Sequence, residues 1–157
     1  MALFFESVKR IIDNEHERVG LWIQEHGGGF FREGTKCIGL EKDGQLVAGV
    51  MYDFYNGASV YAHIAAVGKH WLDREYLWFL FYYAFEQLKV NVILGLVASN
   101  NLQARRFDEH LGFKLLVEIP DADPDGSTLL YTMRKQDCRW LNIRRKTHEQ
   151  TKSSQYA

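Results

Sequence analysis

The sequence predicts one mixed α+β domain: a mostly antiparallel twisted sheet, flanked by helices and carrying one strand–helix–strand crossover. Three observations predict it. The chain has 157 residues, 46% hydrophobic and 14% aromatic, enough for a single core without disulfide or metal staples. Its apolar residues fall at helical spacing near the start, then gather into short strand-like runs separated by Asp-Gly and Asn-Gly. Later, a lone apolar run lies between two helical stretches, the pattern of a crossover. Wholesale disorder, collagen-like repeats and coiled coil are excluded by this composition. Lys and Arg number 19 against 20 Asp and Glu, so no global charge points to nucleic acid or an anionic membrane.

Taken in order, Val8, Ile11, Ile12, Val19, Trp22 and Ile23 have helical spacing, as one helix or two. Gly27-Gly28-Gly29 stops them and reads as a mobile loop. Cys37 to Leu40 and Leu46 to Tyr52 flank Asp43-Gly44, a hairpin signal. Asn56-Gly57 turns the chain into a third strand, Val60 to Val67. Asp73 suits the N-cap of a helix running to about Leu88, with Glu75 in its first turn. From Tyr76 to Phe85 that helix is apolar nearly all round, so it is buried or shared with a partner chain, which leaves a homodimer open. Asn91 to Ala98 reads as a fully buried strand. Leu102 to His110 reads as a short helix ended by Gly112, Phe113 to Ile119 as a strand, Pro120 to Gly126 as a loop and Leu129 to Arg134 as the last strand.

Residues 1–141 form the predicted domain, and residues 142–157 a basic flexible tail with Arg144, Arg145 and Lys146. Cys37 and Cys138 make no CxxC pair and read as reduced thiols. The first residues turn charged at Glu6, unlike a signal peptide, and the longest apolar run is half of what a membrane span needs. The expectation is a soluble cytoplasmic protein. The six histidines show no metal-ligand spacing, and no phosphate-binding loop, zinc-protease or nucleophile-elbow motif is present, so no metal is expected.

One stretch carries a resemblance: Asn101-Leu-Gln-Ala104-Arg-Arg-Phe-Asp108-Glu109-His-Leu-Gly112-Phe113. It resembles the segment after the fifth strand of the GNAT superfamily of N-acetyltransferases: Asn, two residues, Ala or Ser, a helix, then Leu-Gly-Phe. The element order is similar to that fold from about residue 3 to residue 140, and Leu130-Tyr131-Thr132-Met133-Arg134 resembles the last strand of the ribosomal-protein acetyltransferase branch. The general look also resembles small acetyltransferase-like proteins of phages and prophages. The resemblance implies the acyl-CoA N-acyltransferase fold, in which the fourth and fifth strands splay apart and the pantetheine binds main-chain groups of the fourth. Here those are the groups of Ile64, Ala65 and Ala66. Acetyl-CoA is the implied co-substrate and an amine, small or on a protein, the implied acceptor.

Two departures from the family pattern bear on the site. In place of Arg/Gln-x-x-Gly-x-Gly/Ala the chain has Val67-Gly68-Lys69-His70-Trp71-Leu72-Asp73-Arg74, with one glycine. Lys69, His70 and Arg74 could hold the pyrophosphate by charge, or be ordinary exposed groups at a helix start, while a carboxylate at Asp73 competes with an anion there. Where many members carry a Tyr general acid, this chain has Asp108. It donates a proton near neutral pH only if burial raises its pKa; Tyr82, Tyr83 and Tyr131 are unranked substitutes.

His63, on the fourth strand, is the candidate base, its intrinsic pKa suiting ammonium deprotonation. Ser99 is placed by the resemblance to hydrogen-bond the thioester carbonyl or thiolate, or simply caps the strand end; Asn101 is structural or contacts the cofactor arm, and Ala104 contacts the cofactor. Tyr52, Asp53 and Tyr55 border the implied acceptor cleft, where Asp53 could bind a cationic amine or simply face outward. The function read from these residues is acetyl transfer from acetyl-CoA to a primary amine by direct attack in a ternary complex. The alternatives are an inactive binding or assembly module of the same fold, and an enzyme using another acyl-CoA.

Overall fold

The Asp-Gly signal folds as read: Asp43 and Gly44 take φ of 51° and 83°, the two left-handed residues a tight hairpin needs. The second turn is fixed by Asn56, whose Oδ1 accepts from the N–H groups of Ala58 and Ser59 at 2.9 and 2.8 Å, with Gly57 at φ 89°. These turns space the strands of a sheet in a computed structural model that describes residues 7–27, 29–69 and 73–143. In chain order the elements are β1 (Lys9–Ile12), α1 (His16–Glu25), β2 (Lys36–Lys42), β3 (Gln45–Asp53), β4 (Ser59–Ala66), α2 (Arg74–Tyr82), β5 (Val92–Ala98), α3 (Leu102–Leu111), β6 (Lys114–Asp123) and β7 (Gly126–Arg134). The seven strands are ordered β1-β2-β3-β4-β5-β7-β6. β4 and β5 run parallel, as a crossover through α2 requires, whereas β1–β2, β2–β3, β5–β7 and β6–β7 are antiparallel. The mixed α+β sheet expected from the sequence is what forms.

The described residues group into two compact units. One runs up to Asp53 and adds the stretch from His63 to Leu77; the other comprises Phe54 to Ala62 and the stretch from Trp78 onward. In the first, α1 lies on β2 and β3 so closely that only glycine fits beneath it. A Cβ on Gly49 would stand 2.8 Å from Ile23 Cγ1, and one on Gly39 would stand 2.9 Å from Val19 Cγ2. Val19 and Ile23 thereby join Ile12, Cys37, Met51 and Ala65 in one buried cluster. Asp73 caps α2, accepting from the Tyr76 N–H at 2.9 Å, and the buried Tyr76 hydroxyl donates to Ile38 O at 2.8 Å.

In the second unit, Ser59, Val60 and Tyr61 of β4 pair with Val92, Ile93 and Leu94 of β5, and the register ends there. β4 nevertheless continues to Ala66 and β5 to Ala98. Asn101 caps α3, its Oδ1 accepting from Ala104 N–H at 3.1 Å, and Gly112 ends it at φ 108°.

The structure corrects four expectations. Lys9–Ile12 is a strand, paired with Lys42 to Gly39, although its spacing suited a helix; two adjacent isoleucines fit a sheet edge, and pairing overrides the local period. β5 is not fully buried: Leu96 is 48% exposed, because α3 covers only the face carrying Ile93, Gly95 and Val97. The stretch after Ile119 is not a loop; β6 extends through Pro120 to Asp123, and an edge strand tolerates a residue with no N–H. The aromatic helix is α2 followed by a π-helical segment, Tyr83–Gln87, with Leu88 N–H donating to Tyr83 O at 2.8 Å. Most of its apolar residues, including Tyr76, Leu77, Leu80, Phe81, Ala84 and Phe85, are buried within the single chain. The tail from Arg144 on lies outside the described residues, as do Gly28 and residues 70–72.

Gly49→Ala is expected to lower unfolding free energy by about 1–3 kcal/mol, the usual range for overpacking, in denaturant titration. A loss near zero would mean that α1 slides away without cost.

Candidate active site

β3 ends at Asp53 and β4 presents His63, and the two side chains meet: Asp53 Oδ2 lies 3.5 Å from His63 Nε2. The other carboxylate oxygen, Oδ1, accepts from Arg32 Nη2, from the loop between α1 and β2. Gly29, in the same loop, packs against the imidazole: at φ 86° it places its Cα so that an added Cβ would stand 3.1 Å from His63 Cγ. The loop is seated by Phe31. Its N–H donates to Gln24 Oε1 at 2.9 Å, and its ring fills the space a side chain on Gly20 would need.

Burial lowers the His63 pKa from its usual 6.5, and Arg32 lowers it further, while the Asp53 charge and hydrogen bond oppose both. His63 is therefore neutral near pH 7 and able to accept a proton. Cys37 behaves oppositely: burial, then the Asp53 charge, push its thiol up to about 12, so it is inert as a nucleophile. Tyr52, which alternates with Asp53 along β3, is buried at 6% exposure.

The donor-end residues are disposed as follows. Ala65 is buried, Ile64 and Ala66 are half-buried, and none of the three pairs with β5. Gly68 takes φ 58°, so the single glycine of the degenerate loop serves a left-handed backbone. Lys69 and Arg74 are exposed, and neither forms an ion pair among the described residues. Asp73 also forms an ion pair with Lys9 at 3.0 Å; although burial opposes it, its hydrogen bonds and Lys9 hold its pKa below the usual value. It is a standing carboxylate at the start of α2, with its charge offset by Lys9.

A second cluster gathers where β5 meets α3. Ser99 Oγ accepts from Ser127 N–H at 3.2 Å, and Ser99 O accepts from Arg105 Nη1 at 3.1 Å, which leaves the hydroxyl proton of Ser99 available to donate. Asn101 spends its carbonyl on the cap, so its side chain is structural here. Asp108 lies half-buried over Gly95, its Oδ2 3.6 Å from where a Gly95 Cβ would be. Burial, and secondarily Glu109, push its pKa up to about 7. The condition for proton donation near neutrality is met. Tyr131 is ranked below it: its hydroxyl donates to Glu109 Oε1 at 2.9 Å, and burial raises its pKa.

His63, Asp53, Asp108 and Ser99 were legible as candidates. Arg32 was not, because it meets Asp53 across 21 positions of sequence with no local pattern. The contact of Gly29 with His63 was also missed, although the glycine run marked the loop. Among the described residues no three His, Cys, Asp or Glu side chains gather as a metal site would need, and no helix is long and apolar enough to cross a membrane.

No protein-family model matches the sequence, and no curated protein does. Solved structures do match in shape. A chimera of the spermidine N-acetyltransferase SpeG from Vibrio cholerae and hSSAT superposes with a TM-score of 0.66 at 13% identity, over 85% of this chain and 98% of that one. A single-site variant of the Vibrio cholerae enzyme gives 0.67 at 14% identity, over 87% and 96%. The Campylobacter jejuni N-acetyltransferase PseH, in complex with acetyl coenzyme A, gives 0.50 at 18% identity, over 66% and 70%. At such identities the likeness is one of fold: this chain has the GNAT acyltransferase fold.

The Asp108 shift makes a thermodynamic prediction. A carboxyl with a folded pKa of about 7 and an ordinary unfolded value of 3.8 is raised on folding, so its contribution is fully favourable below pH 3.8 and lost as pH rises through about 7. Asp108→Asn is therefore expected to melt higher than the parent at pH 8, with the gap closing near pH 4. An equal gap at both pH values would show that Asp108 is not held protonated.

Proposed function

We propose that the chain is an N-acetyltransferase, moving the acetyl group of acetyl-CoA to a primary amine by direct attack in a ternary complex. One observation carries this reading. β4 loses its pairing to β5 after Tyr61, and the residues beyond include a neutral, carboxylate-backed histidine followed by backbone with no β5 partner. Unpaired strand amides need partners, and the amide-rich pantetheine arm can supply them. The shared fold and the acetyl coenzyme A held by PseH support the choice of donor.

In this reading Ile64, Ala65 and Ala66 hold the pantetheine arm, and Gly68, Lys69 and Arg74 receive the pyrophosphate. Ala104 lies at the N-terminus of α3, where Asn101 shapes the backbone beside the cofactor. His63 removes a proton from the acceptor ammonium, and the free amine attacks the thioester carbon. Asp53 holds the imidazolium that forms and draws the amine inward, with Tyr52 fixing the end of its strand. The nitrogen sheds its second proton as the carbon–sulfur bond breaks and the amide forms; the CoA thiolate takes its proton from Asp108, which is reprotonated from solvent in place of that second amine proton, and Ser99 donates a hydrogen bond to the oxygen or the departing sulfur. No acyl-enzyme intermediate forms. The resemblance carried by Leu130–Arg134, within β7, supports a place near the ribosomal-protein branch, and the spermidine named for the SpeG enzymes of similar fold is one acceptor to test.

A second reading has its own observation. Asp73 occupies a helix-start N–H with its carboxylate, where the family fold would seat a phosphate, which favours a binding module that has lost the donor site.

The test is CoA release from acetyl-CoA across an amine panel. Rate should rise as pH climbs through the lowered His63 pKa, below 6.5, and fall beyond about 7 as Asp108 ionises. His63→Ala is expected to lower kcat by about 10²–10⁴, and Asp108→Asn to abolish the alkaline limb along with most of the rate. An unchanged pH profile in both variants would remove them from the mechanism.

A further inference from the structure

At one edge of the sheet, β6 has no strand beyond it among the described residues and is exposed along nearly all its length. Leu115, Leu116, Val117 and Ile119 are 48%, 66%, 44% and 41% exposed. An exposed apolar strand at a sheet edge is a pairing site unless something blunts it. Two blunting features are present. The register to β7 shifts between Leu115 and Val117, leaving Leu116 as the extra residue of a bulge, and Pro120 has no N–H. Both limit a backbone ladder, and neither hides the aliphatic side chains.

The order of residues around Leu116 says what fits there. Reading Lys114-Leu115-Leu116-Val117-Glu118 against itself in the antiparallel sense sets Leu116 on Leu116, Leu115 on Val117 and Lys114 on Glu118. Both ends pair opposite charges and the middle pairs aliphatic with aliphatic, the self-complementarity that a two-fold contact demands. Lys114 is free to reach across, since its ion pair with Asp137 is long, at 3.9 Å, with its side chain 73% exposed. Pro120 lies two residues beyond Glu118, so the seam stops after five residues and closes on itself instead of growing into a fibre.

We propose that β6 is a homodimer surface: two copies of this chain meet side by side along Lys114–Glu118, about a two-fold axis through Leu116. The seam is made by side chains, with Leu115 against the partner's Val117 and Lys114 against the partner's Glu118. It does not rest on the proposed activity.

Sedimentation equilibrium of the full chain tests it. The parent is expected to dimerise reversibly, and Leu116→Lys, which sets two cations on the axis, to leave it monomeric. Lys114→Glu and Glu118→Lys alone should each raise the dissociation constant about tenfold, because each sets like charges opposite each other twice per dimer. The double variant Lys114→Glu/Glu118→Lys restores both pairs and should return to within about twofold of the parent. Thermal melts of the same variants establish that each is folded, as expected for exposed positions. A monomeric parent at the highest attainable concentration, a dimer indifferent to Leu116→Lys, or a double variant as weak as the singles would each overturn the proposal.

Discussion

Three residue pairs join β4 to β5, and then the pairing stops: Ser59 with Val92, Val60 with Ile93, Tyr61 with Leu94. The proposed donor site depends on this limit. A strand that keeps its extended course but loses one neighbour carries backbone donors and acceptors with no ladder partner, and such groups must find water or a ligand. The termination falls two residues before His63, so the same stretch that leaves backbone groups available also carries the titratable side chain. On its other side β5 pairs with β7 without interruption from Val92 to Ala98.

The charges around His63 act against one another in a way that suits a base. Burial alone would disfavour the imidazolium and leave the ring a weak proton acceptor. Asp53 offsets part of that cost, while Arg32 limits how much it can offset. Arg32 in turn depends on the loop held by Phe31 against the bare backbone of Gly20. Asp108 is the complementary case, a carboxyl over Gly95 whose pKa burial, and secondarily Glu109, push up to about 7. One group is shifted down and the other up, the divergence from which acid and base roles are assigned.

Much of this was legible in the sequence, for physical reasons. Asp43-Gly44, Asn56-Gly57, Asp73 and Gly112 are local signals, satisfied within three or four residues, and each does in the structure what its chemistry suggested. What escaped was tertiary. Ile11 and Ile12 suit helix and strand equally, and pairing with β2 decided. Apolarity in β5 said nothing about which face α3 would cover, so Leu96 was misread. Pro120 looked like a break because nothing local shows that β6 is an edge. In the site, His63 and Asp108 stood out as residue types at revealing positions, whereas Arg32 and Gly29 became meaningful only when the chain brought them to Asp53 and His63.

Isothermal titration of acetyl-CoA and CoA into the full chain tests whether the donor site binds its cofactor. β4 amides with no β5 partner, together with Lys69 and Arg74, should bind both ligands one to one with micromolar affinity, and replacing the two cations should abolish binding. No heat and no binding from either ligand at high protein concentration would contradict the account, leaving Asp73 as a closed cap on a fold that has lost its donor site.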